Sequence, residues 1–114
     1  PAIGPYSQAI LTNNTLYCSG QIAINPATGN LVTDNIIDET KQVMKNIEAV
    51  LKAANMDFSN VVKCSIFLKN MDDYSVINEI YSRYFSNYPP AREAVEVSNL
   101  PKNVNIEISV VAIQ

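Results

Sequence analysis

Taken as an extended strand, Arg92 to Val97 carries Arg92, Ala94 and Glu96 on one side and Glu93, Val95 and Val97 on the other, the second side the more apolar. The same period returns from Val104 to Val110, with Val104, Ile106, Ile108 and Val110 on one side and Asn105, Glu107 and Ser109 on the other. Two strands are predicted, each with a wet face. Leu100-Pro101-Lys102-Asn103 between them reads as a turn, which predicts an antiparallel hairpin with Val97 opposite Val104 and Ala94 opposite Glu107. Arg92 is then the next same-face neighbour of Glu107, roughly 7–8 Å away on the diagonal. A one-residue slip would turn every one of these side chains over, so the register rests on the apolar pattern alone.

The rest of the chain sorts by the same test. Gly4-Pro5 restricts the backbone ahead of Tyr6, which opens a short extended segment to Leu11; Asn13-Asn14 is a tight-turn signal, and Thr15 to Ser19 returns as a second strand. Gly20-Gln21 breaks that strand where a backbone needs close approach, and Ile22-Ala23-Ile24 runs extended into the loop Asn25-Pro26-Ala27-Thr28-Gly29. From Asp38 the period changes: Val43, Met44, Ile47, Val50, Leu51 and Ala54 recur at helical spacing, with Asp34 or Asp38 as the cap and Asn55 as the left-handed stop. Lys41, Lys45, Glu48 and Lys52 form its solvated side. Val61 to Leu68 reads as a central strand. Asp72 or Asp73 caps a second helix to about Phe85, whose stripe of Ile77, Ile80, Tyr81, Tyr84 and Phe85 has the spacing that packing on a sheet requires. The order predicts an α+β fold, a mixed β-sheet with two helices on one face, in a single domain spanning residues 1–114. Two helices cover one face only, and the other would carry Arg92, Ala94, Glu96 and Glu107, a mix suited to an oligomer with clefts between subunits.

Composition narrows the chemistry. The absence of histidine from the 114 residues removes the commonest general base and metal ligand, so proton transfer falls to Glu, Asp, Lys, Tyr, Cys or water, and no metal is expected. Cys18 and Cys64 have no paired spacing and read as reduced core thiols of an intracellular, cytoplasmic protein. A net charge of −3 without a basic run makes nucleic acid a poor partner, and no apolar run approaches a membrane span. On this basis alone, Arg92 and Glu107 could be a plain cross-strand ion pair and Tyr6 an ordinary strand aromatic.

Several separate stretches, in order along essentially the whole chain, carry a resemblance. Ala2 to Gln8, Ser19-Gly20-Gln21 with Asn25 to Gly29, Pro90-Ala91-Arg92, Val95-Glu96-Val97, Leu100-Pro101-Lys102 and Ile106-Glu107-Ile108 resemble the RidA family, also called YjgF/YER057c/UK114. The resemblance implies a chorismate-mutase-like fold, a homotrimer with three clefts between subunits, and cofactor-independent hydrolysis of reactive 2-imino or 2-enamino acids to 2-oxo acids and ammonia, a form of metabolite damage control. It implies that Arg92 binds the substrate carboxylate, that Glu107 positions or activates water together with the backbone carbonyl of Ala94, and that Tyr6 and Gly20 line the cleft. Asn78 also matches a recurrent position, with no chemistry assigned. Many members have cysteine where this chain has Ala94; alanine keeps the carbonyl. Rival readings are a non-catalytic trimeric regulator or chaperone-like protein that binds small carboxylates, and an RNA-cleaving translation inhibitor.

Overall fold

The structure, a computed structural model, describes residue 4 and residues 6–85 and 87–114. Five strands form one mixed sheet in the order β1-β2-β5-β3-β4: β1 Ala9–Thr12, β2 Thr15–Cys18, β3 Val61–Leu68, β4 Ala91–Glu96 and β5 Ile106–Ile113. Helices α1, Ile36–Ala53, and α2, Tyr74–Ser82, cover one face. The α+β architecture is as the pattern predicts.

Local chemistry explains most boundaries. Asn13 and Asn14 both adopt left-handed backbone, at φ 49° and 64°, and close the β1–β2 hairpin. Helix α1 starts one residue beyond Asn35, which accepts from Asp38 N–H at 2.9 Å while its own amide donates to the Asp38 carboxylate at 2.9 Å. Asn35, neither Asp34 nor Asp38, is therefore the cap, because Asp38 already lies in the first turn. At the far end Asn55 takes φ 58°, Met56 N–H bonds to Leu51 O and Asn55 N–H to Lys52 O, a left-handed stop at the expected residue. Before α2 the chain makes one 3-10 turn, Met71–Asp73, capped by Asn70; Asp73 precedes the helix without a side-chain cap bond, and Asp72 serves no cap either. The Glu48–Lys52 pair is present at 3.9 Å on the wet side of α1.

The expected β4–β5 hairpin does not exist. Both strands flank β3: β5 antiparallel, with Phe67 opposite Glu107 and Ile66 opposite Ile108, and β4 parallel, with Cys64 beside Arg92 and Ile66 beside Ala94. After β4, Val97 N–H still bonds to Leu68 O, and the chain crosses the end of β3 before returning as β5. An apolar β3 between them satisfies backbone groups on both sides, which a hairpin next to an exposed edge would not.

This crossover decides the faces. Cys64, Ile66, Leu68, Ile106, Ile108, Val110, Leu16 and Ala112 point at the helices and are buried with Val43, Met44, Ile47, Leu51, Ile77 and Tyr81. The register puts Arg92 and Ala94 on that same helix side, at the β4 edge, and Glu107 with Phe67, Ser65 and Ser109 on the open side. Arg92 and Glu107 therefore lie on opposite faces, and the predicted shared patch within one chain is absent. Ile10, Tyr17 and Val111 make a row across three strands of the open face. Both cysteines are free and buried. No helix among the described residues is long and apolar enough to cross a membrane.

Candidate functional site

Arg92 is aimed by helix α2. One guanidinium nitrogen donates to Asn78 Oδ1 at 2.6 Å and another to the Tyr74 hydroxyl at 2.6 Å, and the group stacks over the rings of Tyr74 and Tyr81 at 5.6 and 5.0 Å. Tyr74, Asn78 and Tyr81 fall on one helix stripe, so a single element fixes the fork. All of these partners are neutral, and Arg92 makes no ion pair among the described residues. A cation held this way retains unused donors and lacks a counter-charge, which suits a planar anion such as a carboxylate. Asn78, Tyr81, Pro89, Pro90 and Arg92 line a cleft of about 390 Å³ there. Ala94 is half-buried on the same strand and face.

Glu107 is placed by different means. Immediately upstream, the fully buried Glu39 accepts from Asn105 N–H and Nδ2 at 2.7 Å each and from Ile106 N–H at 3.2 Å, anchoring the start of β5 to α1. Asn105 follows a turn in which Lys102 and Asn103 are left-handed, at φ 54° and 58°. Gly20 faces the Glu107 side chain: a Cβ there would fall 2.7 Å from Cδ and 2.9 Å from Cγ of Glu107, and closer still to its carboxylate. The glycine is required by close approach rather than by backbone angle. Burial pushes the Glu107 carboxyl above the usual carboxylate range, so it is a stronger base than an exposed glutamate.

Tyr6 lines, with this pair, a cleft of about 610 Å³ whose lining also includes Gln8 and Lys102. The N-terminal segment is tied down by Ser19, whose hydroxyl donates to Ser7 O at 2.6 Å and whose N–H donates to Gln8 O at 2.9 Å. Tyr6 is about half exposed, at 46%, so it is a cleft wall rather than a core aromatic. Ala2, Ile3 and Pro5 of the motif lie outside the described residues.

The structure thus groups Glu107, Gly20 and Tyr6 in one cleft and Arg92 with Asn78 in another, and it does not bring the two groups together within a chain. Tyr74, Glu39 and Asn46 were not singled out from sequence. The stripe of Ile77, Ile80, Tyr81, Tyr84 and Phe85 reads as core, and all of it but the half-buried Tyr84 is buried; Tyr74 is also half-buried against the core, and only the three-dimensional approach of β4 distinguishes it from a packing residue.

Comparison with known proteins gives the family of the chain. The model of the family described as Endoribonuclease L-PSP matches residues 1–114. Among curated relatives, the human 2-iminobutanoate/2-iminopropanoate deaminase is 50% identical over 99% of this chain and 82% of its own. A Lactococcus lactis protein named as a regulator, AldR, is 55% identical over 97% of this chain and 88% of its own. Among solved structures, YyfA of Yersinia pestis, described as a member of the Rid protein family, superposes with a TM-score of 0.96 at 52% identity, over 99% of this chain and 90% of that one. With a full-length family match, near-complete relatives at about half identity and the same fold, this chain belongs to the Endoribonuclease L-PSP family, the RidA family that its motifs resemble.

Proposed function

We propose that this chain hydrolyses reactive 2-imino and 2-enamino acids, such as 2-iminobutanoate and 2-iminopropanoate, to 2-oxo acids and ammonia, as a homotrimer and without a cofactor. The observation that carries the reading is the Arg92 guanidinium, aimed by three neutral side chains of α2 and lacking a carboxylate partner among the described residues. It receives the substrate carboxylate. The activity of the human relative at 50% identity supports the same substrate class.

Ring closure brings the halves together in this reading. The open sheet face carries Ile10, Tyr17, Val95 and Ile113 at 56, 52, 42 and 45% exposure, large apolar side chains that a second copy would cover. Covering it with a second copy lets each cleft take Arg92 and Ala94 from one subunit and Glu107, Gly20 and Tyr6 from the next.

The chemistry needs little more. With the carboxylate on Arg92, the imine carbon stands as an electrophile above the Glu107 half. Glu107 accepts a proton as water oxygen bonds to that carbon, and the Ala94 carbonyl accepts the water's other hydrogen bond. The nitrogen takes the proton held by Glu107 and then that of the new hydroxyl, the C–N bond breaks, ammonia leaves and the carbonyl of the 2-oxo acid forms. The gain comes chiefly from holding reactants in place, because imines are already electrophilic.

Ammonia release from an enzymatically generated 2-iminobutanoate mixture, with and without the protein, is the direct test. Light scattering should give three times the 12.6 kDa chain mass; a monomer would sink the shared cleft. Co-refolding Arg92→Ala with Glu107→Gln chains should restore about a quarter of wild-type activity if each site draws on two subunits, and none if it does not. Saturable 2-oxo acid binding without ammonia release would instead favour a regulator, the role by which the Lactococcus relative is named.

A further inference from the structure

The 610 Å³ cleft extends well past Glu107, along a wall made by Ile22, Ile24 and Pro26 of the segment after β2 and by Ala49 and Val50 of α1. The segment folds on itself: Ile24 bridges Leu31, Asn25 N–H bonds to Asn30 O, Gly29 N–H to Asn25 O and Val32 N–H to Ala23 O. At its base Gln21 pairs with Ile108 of β5. The strap to the helix is one side chain. Asn46, half-buried on α1, donates its two amide hydrogens to Ile22 O at 3.0 Å and Ile24 O at 2.9 Å. Gln42, one turn earlier, donates to Asn46 Oδ1 at 2.9 Å and so fixes which end of the amide faces the loop. Asn46 is also among the residues that line the cleft.

We propose that Asn46, oriented by Gln42, is a positioning residue that sets the width of this apolar limb and thereby the size of side chain accepted on the imine carbon. The inference rests on the imine-hydrolase reading and deepens it. The carboxylate and imine carbon are held by Arg92 and Glu107, so the remaining substituent is the part of the substrate that is free to enter the limb. A wall held by two bonds from one rigid amide excludes a longer substituent better than a loose one does, and discrimination of about tenfold per methylene is within reach of an apolar wall.

The test uses Asn46→Asp, which keeps the shape but faces two carbonyls with acceptors only, and Asn46→Ala, which removes the strap without repulsion. Trimer mass and circular dichroism establish that each folds. The readout is the ratio of kcat/KM for 2-iminopropanoate over 2-imino-4-methylpentanoate, both generated in place by an amino-acid oxidase, alongside hydrogen exchange at the Asn25, Gly29 and Val32 amides. We expect both variants to lower the ratio about tenfold, with kcat on the smaller imine within about twofold of wild type and faster exchange in the loop. Gln42→Ala should shift the ratio the same way by less. An unchanged ratio with faster exchange overturns the specificity role, and unchanged exchange overturns the strap. If the wild-type chain hydrolyses no imine, the functional reading fails by itself, and the ratio of Kd values for the matching 2-oxo acids decides the inference.

Discussion

Arg92 is held by what surrounds it, and Glu107 by a side chain that is missing. On the helix side, Tyr74, Asn78 and Tyr81 grip the guanidinium from one rigid element, and every contact is made by side chains. On the open side, Gly20 leaves room for the carboxylate, partial burial raises its proton affinity, and backbone N–H groups reach Glu39 rather than Glu107 itself. A binding group needs a fixed orientation, so a bidentate fork is clamped. A base needs an accessible lone pair and an elevated pKa, which burial without strong donors supplies. In the proposed reaction the two halves divide the work, one holding the substrate and the other moving a proton.

Substitutions in the two halves should separate along that line. Glu107→Gln keeps an acceptor but loses the base; kcat should fall on the order of 10²–10⁴, while a 2-oxo acid product still binds through Arg92. Burial raises the Glu107 pKa, so the carboxyl is disfavoured as an anion in the fold. The penalty is absent below the unfolded-state pKa and complete above the folded one, so the amide should raise the neutral-pH melting midpoint slightly. By the same sign, kcat should decline as pH falls through a value above the ordinary glutamate range. A profile flat down to pH 4 would remove Glu107 as the base.

Arg92→Ala should cost roughly 2–5 kcal/mol in kcat/KM, expressed mainly as weaker binding of substrate and of 2-oxo acid, with the fold and the proposed trimer unchanged. Arg92→Lys should recover little, because a point charge cannot use both Tyr74 and Asn78 and still present a fork. Ammonia release at the wild-type rate from Arg92→Ala would show that the carboxylate is held elsewhere.

Gly20→Ala joins the two halves in one experiment. Its methyl must displace the Glu107 carboxylate, so kcat should fall about 10- to 100-fold with little change in product affinity, a misplacement effect. Loss of product binding by the same variant would place Gly20 in the Arg92 half instead. Ala94→Cys should produce the smallest effect, within about twofold, because the position contributes its carbonyl and sits half-buried on β4. A large gain would assign chemistry to the thiol.

The sequence alone determined most of the secondary-structure elements and the family, and it nominated the candidate site residues. Period-two alternation marks β4 and β5 whatever their neighbours, Asn13-Asn14 and Asn55 announce left-handed backbone, and the α1 stripe needs only its own spacing. The motifs around Arg92, Gly20 and Glu107 likewise identify residues without a fold. Pairing was decided elsewhere: alternation says which residues share a face of one strand, but it carries no term for which strand lies alongside. The turn at Leu100 to Asn103 favoured β4 against β5, and only the competition for β3, an apolar strand able to pair on both edges, placed them on either side of it. That choice moved Arg92 to the helix face and left Glu107 on the open one. The tertiary structure also made Tyr74 an acceptor for the Arg92 guanidinium, Asn46 a strap and Glu39 a buried anchor for β5, none of which was singled out from sequence. Each of those roles depends on a partner distant in the chain, and contacts of that kind are formed by packing rather than by local propensity.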